Sequence, residues 1–229
     1  DSQGEWSWRD PRSGYGVILG HTRLSILDLR ESADQPMVHE KTGLSMVFNG
    51  EIYNFKQLRA KLIDRGHHFK TTGDSEVILN GYVEWGAGVV QKLRGMYALA
   101  IFNPMKQKLV LARDGHGIKP LYYVVLPNQR GVAFASEVRS LLDAEYAARR
   151  TDHHRLRQYL WNGFMPSPDT IICDIQCFPT GSYGEYDLAG QHLRIKQNWC
   201  LSESNGRVTT PQQAESSLND SIRSHLISD

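Results

Sequence analysis

Short apolar runs separated by polar turns dominate the first half of the chain. Residues 15–20, 24–29 and 45–48 each have the length and the near-continuous apolarity of a buried strand. The third run is followed by Asn49 and Gly50, a pair that favours positive φ, and we therefore expect its strand to stop there. The pattern predicts neighbouring strands of a buried sheet.

The spacing of the apolar residues changes to a helical period after these strands. Leucines recur four positions apart with basic residues between them, which predicts an amphipathic helix that has Asn54 as its N-cap and stops at Gly66. A second helix with an apolar stripe is predicted over residues 75–85, and Gly86 follows its last residue.

Two hairpins come next, over residues 96–113 and 121–135. The first hairpin is apolar at nearly every position, so both of its faces must be covered. A helix over residues 152–161, a last hairpin over residues 182–199 and a helix that begins at Pro211 complete the prediction. Sheets packed against each other, with helices outside them, satisfy this pattern.

Composition and charge narrow the class of protein. Of the 229 residues, 26 are basic and 25 are acidic, and the 40% hydrophobic content is typical of a soluble globular protein. No basic stripe suited to nucleic acid is visible, so binding of nucleic acid is not expected. No apolar run approaches the ~20 residues of a membrane span, so insertion into a membrane is not expected. The first residues lack the features of a signal peptide, and the expected location is cytoplasmic.

Three cysteines, Cys173, Cys177 and Cys200, lie in the last quarter of the chain. Their odd number argues against a disulfide framework, and we expect them to be reduced. Cys173 and Cys177 together with His192 lack the four-ligand spacing of a zinc site. No metal is therefore expected.

Polar segments interrupt the apolar pattern at residues 21–28, 49–54 and 71–78, which read HTRLSILD, NGEIYN and TTGDSEVI. They are followed by RDGHGIKPLY at residues 113–122 and by ASE at residues 135–137. In this order the segments resemble the class II glutamine amidotransferases, most closely those of the asparagine synthetase type. An ordered set that extends over nearly the whole chain is far more specific than any single motif.

The resemblance implies an α+β fold of the N-terminal-nucleophile hydrolase type, a four-layer αββα sandwich of two antiparallel sheets. It implies hydrolysis of L-glutamine by residues 1–200, followed over residues 201–229 by a linker and the first helix of a C-terminal ATP-dependent synthetase domain. No cofactor is expected in this chain, and ATP and magnesium are expected in that synthetase domain. Aspartate is the expected acceptor of the ammonia. Another carboxylate, such as a sugar acid or a peptide, stays open as acceptor, and so does homodimer formation.

The charged groups of glutamine define two of the roles that the resemblance implies. Arg23 would bind the α-carboxylate through two N–H groups, and its alternative is a salt bridge to Asp28 or Asp34. Asp74 would pair with the α-ammonium. An aspartate before an amphipathic helix is also a common N-cap, and both roles are compatible because the carboxylate has two oxygens.

The resemblance also implies an oxyanion hole made by Asn49 and Gly50, one giving a side-chain N–H and the other a backbone N–H. Taken alone, this pair would indicate a turn and nothing more. Glu51 is expected to add a polar contact to the substrate, and its alternative is a solvated side chain. Residues 113–120 are expected to form a loop that positions the pocket, with His116 as a loop residue and not a general base.

The nucleophile of the resembled family is an N-terminal cysteine that is activated by its own α-amine. The sequence begins at Asp1, so we expect it to start after that cysteine and the strand that carries it. None of the internal cysteines has the free amine needed to replace it. The 229-residue chain is therefore expected to be inactive by itself. A glutamine-binding or interaction module without a nucleophile is the alternative from a different class.

Overall fold

A six-stranded antiparallel sheet forms the centre of the structure. The structure is a computed structural model, and it describes residues 2–23, 34–127, 130–201 and 210–226. Its strands are β3 Met37–Val38, β4 Ser45–Ile52, β5 Gly95–Asn103, β6 Lys108–Arg113, β10 Ser182–Asp187 and β11 His192–Gln197. They are arranged in the order β11–β10–β6–β5–β4–β3. The predicted hairpin of β5 and β6 lies at the centre and is buried on both faces, which explains its continuous apolarity.

Two smaller antiparallel sheets pack on one face of the central sheet. One pairs β1 Ser2–Arg9 with β2 Gly16–Arg23, and the other places β7 Tyr122–Val125 between β8 Val132–Ala135 and β9 Gln176–Cys177. Apolar side chains of both sheets share one core with the inner face of the central sheet. These two sheets together form the second β layer.

Helices cover the free face of the central sheet and the β7–β8 part of the second β layer. Helices α1 Phe55–Ile63 and α2 Ser75–Trp85, with a 3-10 helix over Gly86–Lys92, pack on the free face of the central sheet. Helix α3 Val138–Asp143 packs through Leu141 on the β7–β8 sheet. The four αββα layers expected from the resemblance are therefore present.

Two further helices lie at the surface. These are α4 His153–Asn162 and α5 Pro211–His225, and every residue of both is at least partly exposed. Helix α5 begins at Pro211 as predicted, after the N-cap Thr210. Across the described residues, no helix has both the length and the apolarity needed to cross a bilayer.

Strand β4 is longer than the sequence pattern predicts. It continues through Asn49 and Gly50, which pair with Ala98 and Tyr97 of β5, so the predicted stop after residue 48 is wrong. The turn alternative for this pair is wrong for the same reason. The prediction relied on the preference of an Asn-Gly pair for turns. In the structure Gly50 instead permits a close approach of two strands.

Two glycines on opposite strands allow this close approach. Gly50 has a φ of 154°, and a β carbon there would lie 2.1 Å from the carbonyl oxygen of Met96. On the facing strand, a β carbon at Gly95 would lie 2.0 Å from the carbonyl oxygen of Glu51. The backbones of β4 and β5 therefore leave no room for a β carbon at Gly50 or at Gly95.

The structure confirms some of the other elements predicted from the sequence pattern and differs from others. Helix α2 has the predicted bounds, but α1 ends at Ile63 instead of reaching Gly66. Asn54 occupies the N-cap position without a capping bond, because its side chain bonds to the backbone of Lys92 and Arg94. Strands β1, β3 and β9 and helix α3 were not predicted, since they are short or amphipathic with weak apolar patterns. The strand predicted over residues 24–29 lies outside the described residues.

Candidate active site

A cavity of about 660 Å³ lies where β2, β4 and the start of α2 meet the β7–β8 sheet. This volume is in the range of small-molecule sites, roughly 300–1,000 Å³. Asn49, Gly50, Glu51 and Asp74 all line it, together with residues 20–22 of β2. The structure therefore brings together segments that the sequence analysis singled out at three separate places in the chain.

Successive residues of β4 direct their backbone N–H and C=O groups alternately to the two edges of the strand. This alternation determines which groups point to the edge beside the cavity. The N–H and C=O of Phe48 bond to the side chain of Gln35, on the edge away from β5. The N–H of Ile52 donates to Asp74 on that same edge. Gly50 lies midway between these two residues, so its N–H points to this edge as well.

The facing strand shows the same alternation. Tyr97, which lies opposite Gly50, donates its N–H to Asp114 at 3.2 Å, and its C=O accepts from the N–H of Asp114 at 2.9 Å. Tyr97 and Gly50 are thus a pair without mutual hydrogen bonds. The N–H of Gly50 is therefore directed away from β5.

Asp74 is a buried acid, with 4% of its surface exposed. Burial raises the pKa of its carboxyl group from 3.8 to about 6, the backbone N–H of Ile52 opposes that shift, and the charge of Glu51 adds to it. The carboxylate accepts the hydrogen bond of Ile52 at 2.9 Å. A buried carboxylate that lines a cavity is suited to pairing with a cation inside it.

The alternative role of Asp74 as a helix cap is not realised. Asp74 occupies the N-cap position of α2, but its side chain makes no capping hydrogen bond. Its backbone is helical, with φ −82° and ψ −28°, whereas a capping residue is normally extended so that its side chain can turn back onto the helix. The carboxylate is instead held against β4.

Glu51 is half-buried and lines the cavity, so the alternative of a solvated surface side chain is wrong. Burial raises the pKa of the Tyr53 hydroxyl, and the charge of Glu51 raises it further. Glu51 and Asp74 together give this part of the cavity a negative potential, which favours a positively charged group of a ligand.

Arg23 is the last residue of β2 and lies opposite Ser2 of β1. Its side chain lies outside the described residues, and Asp28 does too. Asp34, the other alternative partner, accepts a hydrogen bond from the hydroxyl of Ser2 at 2.8 Å. The three residues of β2 that precede Arg23 line the cavity, and the role of Arg23 stays a prediction.

Residues 113–120 form a tightly bonded loop beside the cavity. Asp114 is buried and accepts hydrogen bonds from four backbone N–H groups, those of Tyr97, His116, Ile118 and Lys119. Arg113 donates to three backbone carbonyl groups, those of Gly117, Lys119 and Phe178. This network places Lys119 in the cavity lining, whereas His116 is exposed and contacts the Trp199 ring at 4.9 Å. The expected positioning role of the loop agrees with this geometry.

Gln35 and His21 are lining residues to which the sequence analysis assigned no role. His21 Nε2 lies 3.1 Å from the carbonyl oxygen of Phe48, where Gln35 also bonds. His21 belongs to a segment that the resemblance singled out, which was a usable signal. For Gln35 the sequence contained no such signal, because a glutamine in a polar stretch has the same local pattern whether it is buried or exposed.

The cysteines lie away from this site. Cys173 and Cys177 are half-buried, Cys200 is exposed, and all three are free thiols. Within the described ranges, no cysteine lines the cavity. No group of three His, Cys, Asp or Glu side chains in the described part of the chain is arranged to hold a metal ion.

The family model of the glutamine amidotransferase domain matches residues 1–199, and the chain belongs to this family. A putative glutamine-hydrolyzing asparagine synthetase of Mycobacterium tuberculosis is 39% identical over 191 residues, which are 80% of this chain and 29% of that relative. Glutamine-hydrolyzing asparagine synthetase 1 of Bacillus subtilis is 40% identical over 166 residues, covering 72% of this chain and 26% of the relative.

A relative with a different name aligns over almost the whole chain. Amidase chry2 of Gibberella zeae is 38% identical over 239 aligned positions, covering 99% of this chain and 32% of the relative. The chain therefore spans less than a third of the length of these curated relatives.

Solved structures support the fold. A glutamine phosphoribosylpyrophosphate amidotransferase from B. subtilis, complexed with ADP and GMP, matches with a TM-score of 0.54 and 17% identity, over 81% of this chain and 35% of that one. An allosteric regulatory enzyme of purine biosynthesis matches with a TM-score of 0.55 and 16% identity, over 81% and 36%. At such identities the likeness is one of fold, and it confirms the α+β class of the N-terminal-nucleophile hydrolase type.

Proposed function

We propose that this chain is the glutaminase part of an asparagine-synthetase-type enzyme and releases ammonia from L-glutamine. The observation that carries the proposal is the convergence on one cavity of the Gly50 N–H, the neighbouring Asn49 and the buried Asp74. These groups offer hydrogen-bond donors to a developing oxyanion and an anion to an ammonium group. Family membership and the names of the relatives support the same assignment.

Substrate binding follows from charge complementarity. The α-ammonium of glutamine would pair with Asp74, with Glu51 adding to the negative potential around it. Binding of this cation lowers the pKa of Asp74, so the carboxylate is ionised in the complex. Arg23 would bind the α-carboxylate at the rim of the cavity. Both charged groups on the α carbon are then fixed, which leaves the side-chain amide at the other end of the molecule to reach Asn49 and Gly50.

The chemical step needs donors at the carbonyl oxygen of that amide. A thiolate attacks the amide carbon, and negative charge develops on the oxygen, which the Asn49 side-chain N–H and the Gly50 backbone N–H would stabilise. The ammonium group of the nucleophile protonates the leaving amine, ammonia departs and a thioester remains. Water then attacks the thioester, giving glutamate and regenerating the thiol. The proposal assigns this thiol to an N-terminal cysteine outside the 229 residues.

Residues 1–200 form the glutaminase domain in this proposal, and residues 201–229 lead into a synthetase domain that uses ATP and magnesium to activate aspartate. L-Glutamine and that domain are the proposed partners. A second candidate, in which the ammonia is used for a carboxylate other than aspartate, is kept because one relative that aligns over 99% of the chain is named amidase chry2 and not asparagine synthetase. A cytoplasmic location is part of the proposal, and the three free thiols support it.

Glutamate release by the protein with its natural flanking sequence tests the proposal. We expect glutamate from glutamine without ATP, and asparagine only when aspartate and ATP are both added. Glutamate release with no asparagine from aspartate would favour the second acceptor. Glutamine binding without any glutamate release would instead support the binding-module alternative and contradict the proposal.

A further inference from the structure

We propose that Gln35 is a positioning residue that fixes the backbone of β4 and thereby aims the oxyanion donors at Asn49 and Gly50. The inference rests on the proposed function, since it concerns the same cavity. Gln35 is itself buried, with 7% of its surface exposed, and its side chain is engaged with the backbone of β4.

Both ends of the Gln35 side-chain amide bond to one residue of β4. Its Oε1 accepts from the Phe48 N–H at 2.6 Å, and its Nε2 donates to the Phe48 carbonyl oxygen at 3.0 Å. The edge strand β3 pairs with β4 only at Ser45 and Met46. The amide of Gln35 therefore continues the hydrogen-bond ladder beyond the two residues of β3, and it gives the Phe48 N–H and C=O a partner inside the protein.

The neighbouring β1–β2 sheet packs against the backbone of Gln35. A β carbon at Gly4 of β1 would lie 2.2 Å from the carbonyl oxygen of Gln35, so β1 packs directly against it. His21 of β2 contacts the same Phe48 carbonyl oxygen through Nε2, at 3.1 Å. The β1–β2 sheet is thus connected to β4 at the residue that precedes Asn49.

The position of this connection matters for catalysis. Oxyanion donors act at about 2.7–3.1 Å from the charged oxygen, and a displacement of ~1 Å can cost ~100-fold in rate. Phe48 is fixed by Gln35 and Ile52 is fixed by Asp74, so Gly50 lies between two residues whose backbones are held by side chains. Because both ends of its amide bond to Phe48, Gln35 acts on the oxyanion donors through the backbone of β4.

Glutamine kinetics of the full-length protein test this role. Gln35→Leu removes both hydrogen bonds at similar side-chain size, and Gln57→Leu makes the same change at an exposed position of α1. We expect Gln35→Leu to lower kcat for glutamine hydrolysis by ~10–100-fold with KM within about twofold, while ammonia-dependent synthesis persists. Gln57→Leu should leave all these constants unchanged.

A second variant covers the case in which Gln35→Leu does not fold. Gln35→Glu keeps the acceptor for the Phe48 N–H but loses the donor to the Phe48 carbonyl at neutral pH. Its kcat relative to wild type should recover as the pH falls, because the protonated carboxyl group regains a donor. A ratio that does not depend on pH would contradict the inference.

Hydrogen exchange separates failure of this inference from failure of the proposed function. Without any substrate, Gln35→Leu should speed amide exchange in residues 46–52 and leave residues 108–113 of β6 unchanged. If the wild type releases no glutamate, the proposed function is wrong and the exchange result alone decides the role of Gln35. A raised KM with intact kcat, kinetics equal to those of Gln57→Leu, or unchanged exchange in residues 46–52 would each overturn the inference.

Discussion

The carboxylate of Asp74 accepts a hydrogen bond from the backbone N–H of Ile52 at 2.9 Å, which joins the start of α2 to the end of β4. Burial makes the charge of this carboxylate costly and raises its pKa to about 6, and the hydrogen bond from Ile52 only partly opposes that shift. The arrangement is unfavourable for folding and useful for binding a cation.

Replacing Asp74 with Asn should stabilise the unliganded protein at neutral pH. Below pH 3.8 the carboxyl group is protonated in both states, so the two proteins should be similar. Between pH 3.8 and about 6 the unfolded chain ionises first, and wild type loses stability as the pH rises. At ~1.4 kcal/mol per pKa unit, the gain for Asp74→Asn above pH 6 is on the order of 3 kcal/mol.

Urea unfolding at pH 4 and pH 7 measures this gain. Asp64→Asn, at the exposed end of α1, is the matched control and should show no such dependence. Equal stability of wild type and Asp74→Asn at pH 7 would mean that burial of the carboxylate is not costly.

Asp74 should also be coupled to the α-ammonium of glutamine. An analogue of glutamine that lacks the α-amine should bind wild type weakly, and Asp74→Ala should weaken it little further. Calorimetric titration of both proteins with both ligands gives a double-mutant cycle. Additive losses in that cycle would mean that the carboxylate and the ammonium do not interact.

Asn49→Ala should retain the fold and glutamine binding but hydrolyse slowly. Loss of one oxyanion donor typically costs ~10²–10³ in kcat. Asn49 lies within β4 and not in a turn, so its replacement should affect the melting temperature little. Asn162→Ala, at the exposed end of α4, provides the control for asparagine removal. A lower melting temperature with an intact kcat would contradict the donor role.

Arg23→Ala should raise KM for glutamine strongly while ammonia-dependent synthesis persists, because only the glutamine site loses its anchor. Arg23→Lys should recover part of the loss, since lysine keeps the charge but cannot form two parallel hydrogen bonds to a carboxylate. Arg12→Ala, at an exposed position, serves as the control. Steady-state kinetics with glutamine and with ammonia distinguish these outcomes, and an unchanged KM for glutamine would exclude Arg23.

A glutamine-mimicking electrophile should label the full-length protein at a cysteine other than Cys173, Cys177 and Cys200. These thiols are free but lie outside the cavity lining, and none has an adjacent α-amine to activate it. The 229-residue chain by itself should accordingly turn over no glutamine. Peptide mass spectrometry after labelling identifies the modified residue, and modification of an internal cysteine would overturn the mechanism.

The sequence was sufficient where a strong apolar pattern determines local structure. The apolar stripe of α2 and its closing Gly86 gave the helix its observed bounds, and the apolar hairpin of β5 and β6 was predicted from burial on both faces. The site segments came from an ordered resemblance, and the cavity unites Asn49, Glu51 and Asp74 from two of them.

The sequence was insufficient wherever tertiary contacts override local preference. Asn49 and Gly50 favour a turn, yet pairing with β5 keeps them in a strand. Asp74 has the sequence context of a helix cap, yet its carboxylate bonds to β4. The bonds of Gln35 connect residues 13 positions apart across two elements, and no local pattern encodes such a contact.

Two glycines on the paired strands β4 and β5, Gly50 and Gly95, have a consequence for how the protein tolerates variation. Adding even one methyl group at Gly95 would bring a carbon to within 2.0 Å of the Glu51 carbonyl oxygen and force the strands apart. Gly95 offers no chemistry to glutamine, but in a saturation screen it should be as intolerant as the residues that do. At this point the catalytic geometry depends on the absence of side chains as much as on their presence.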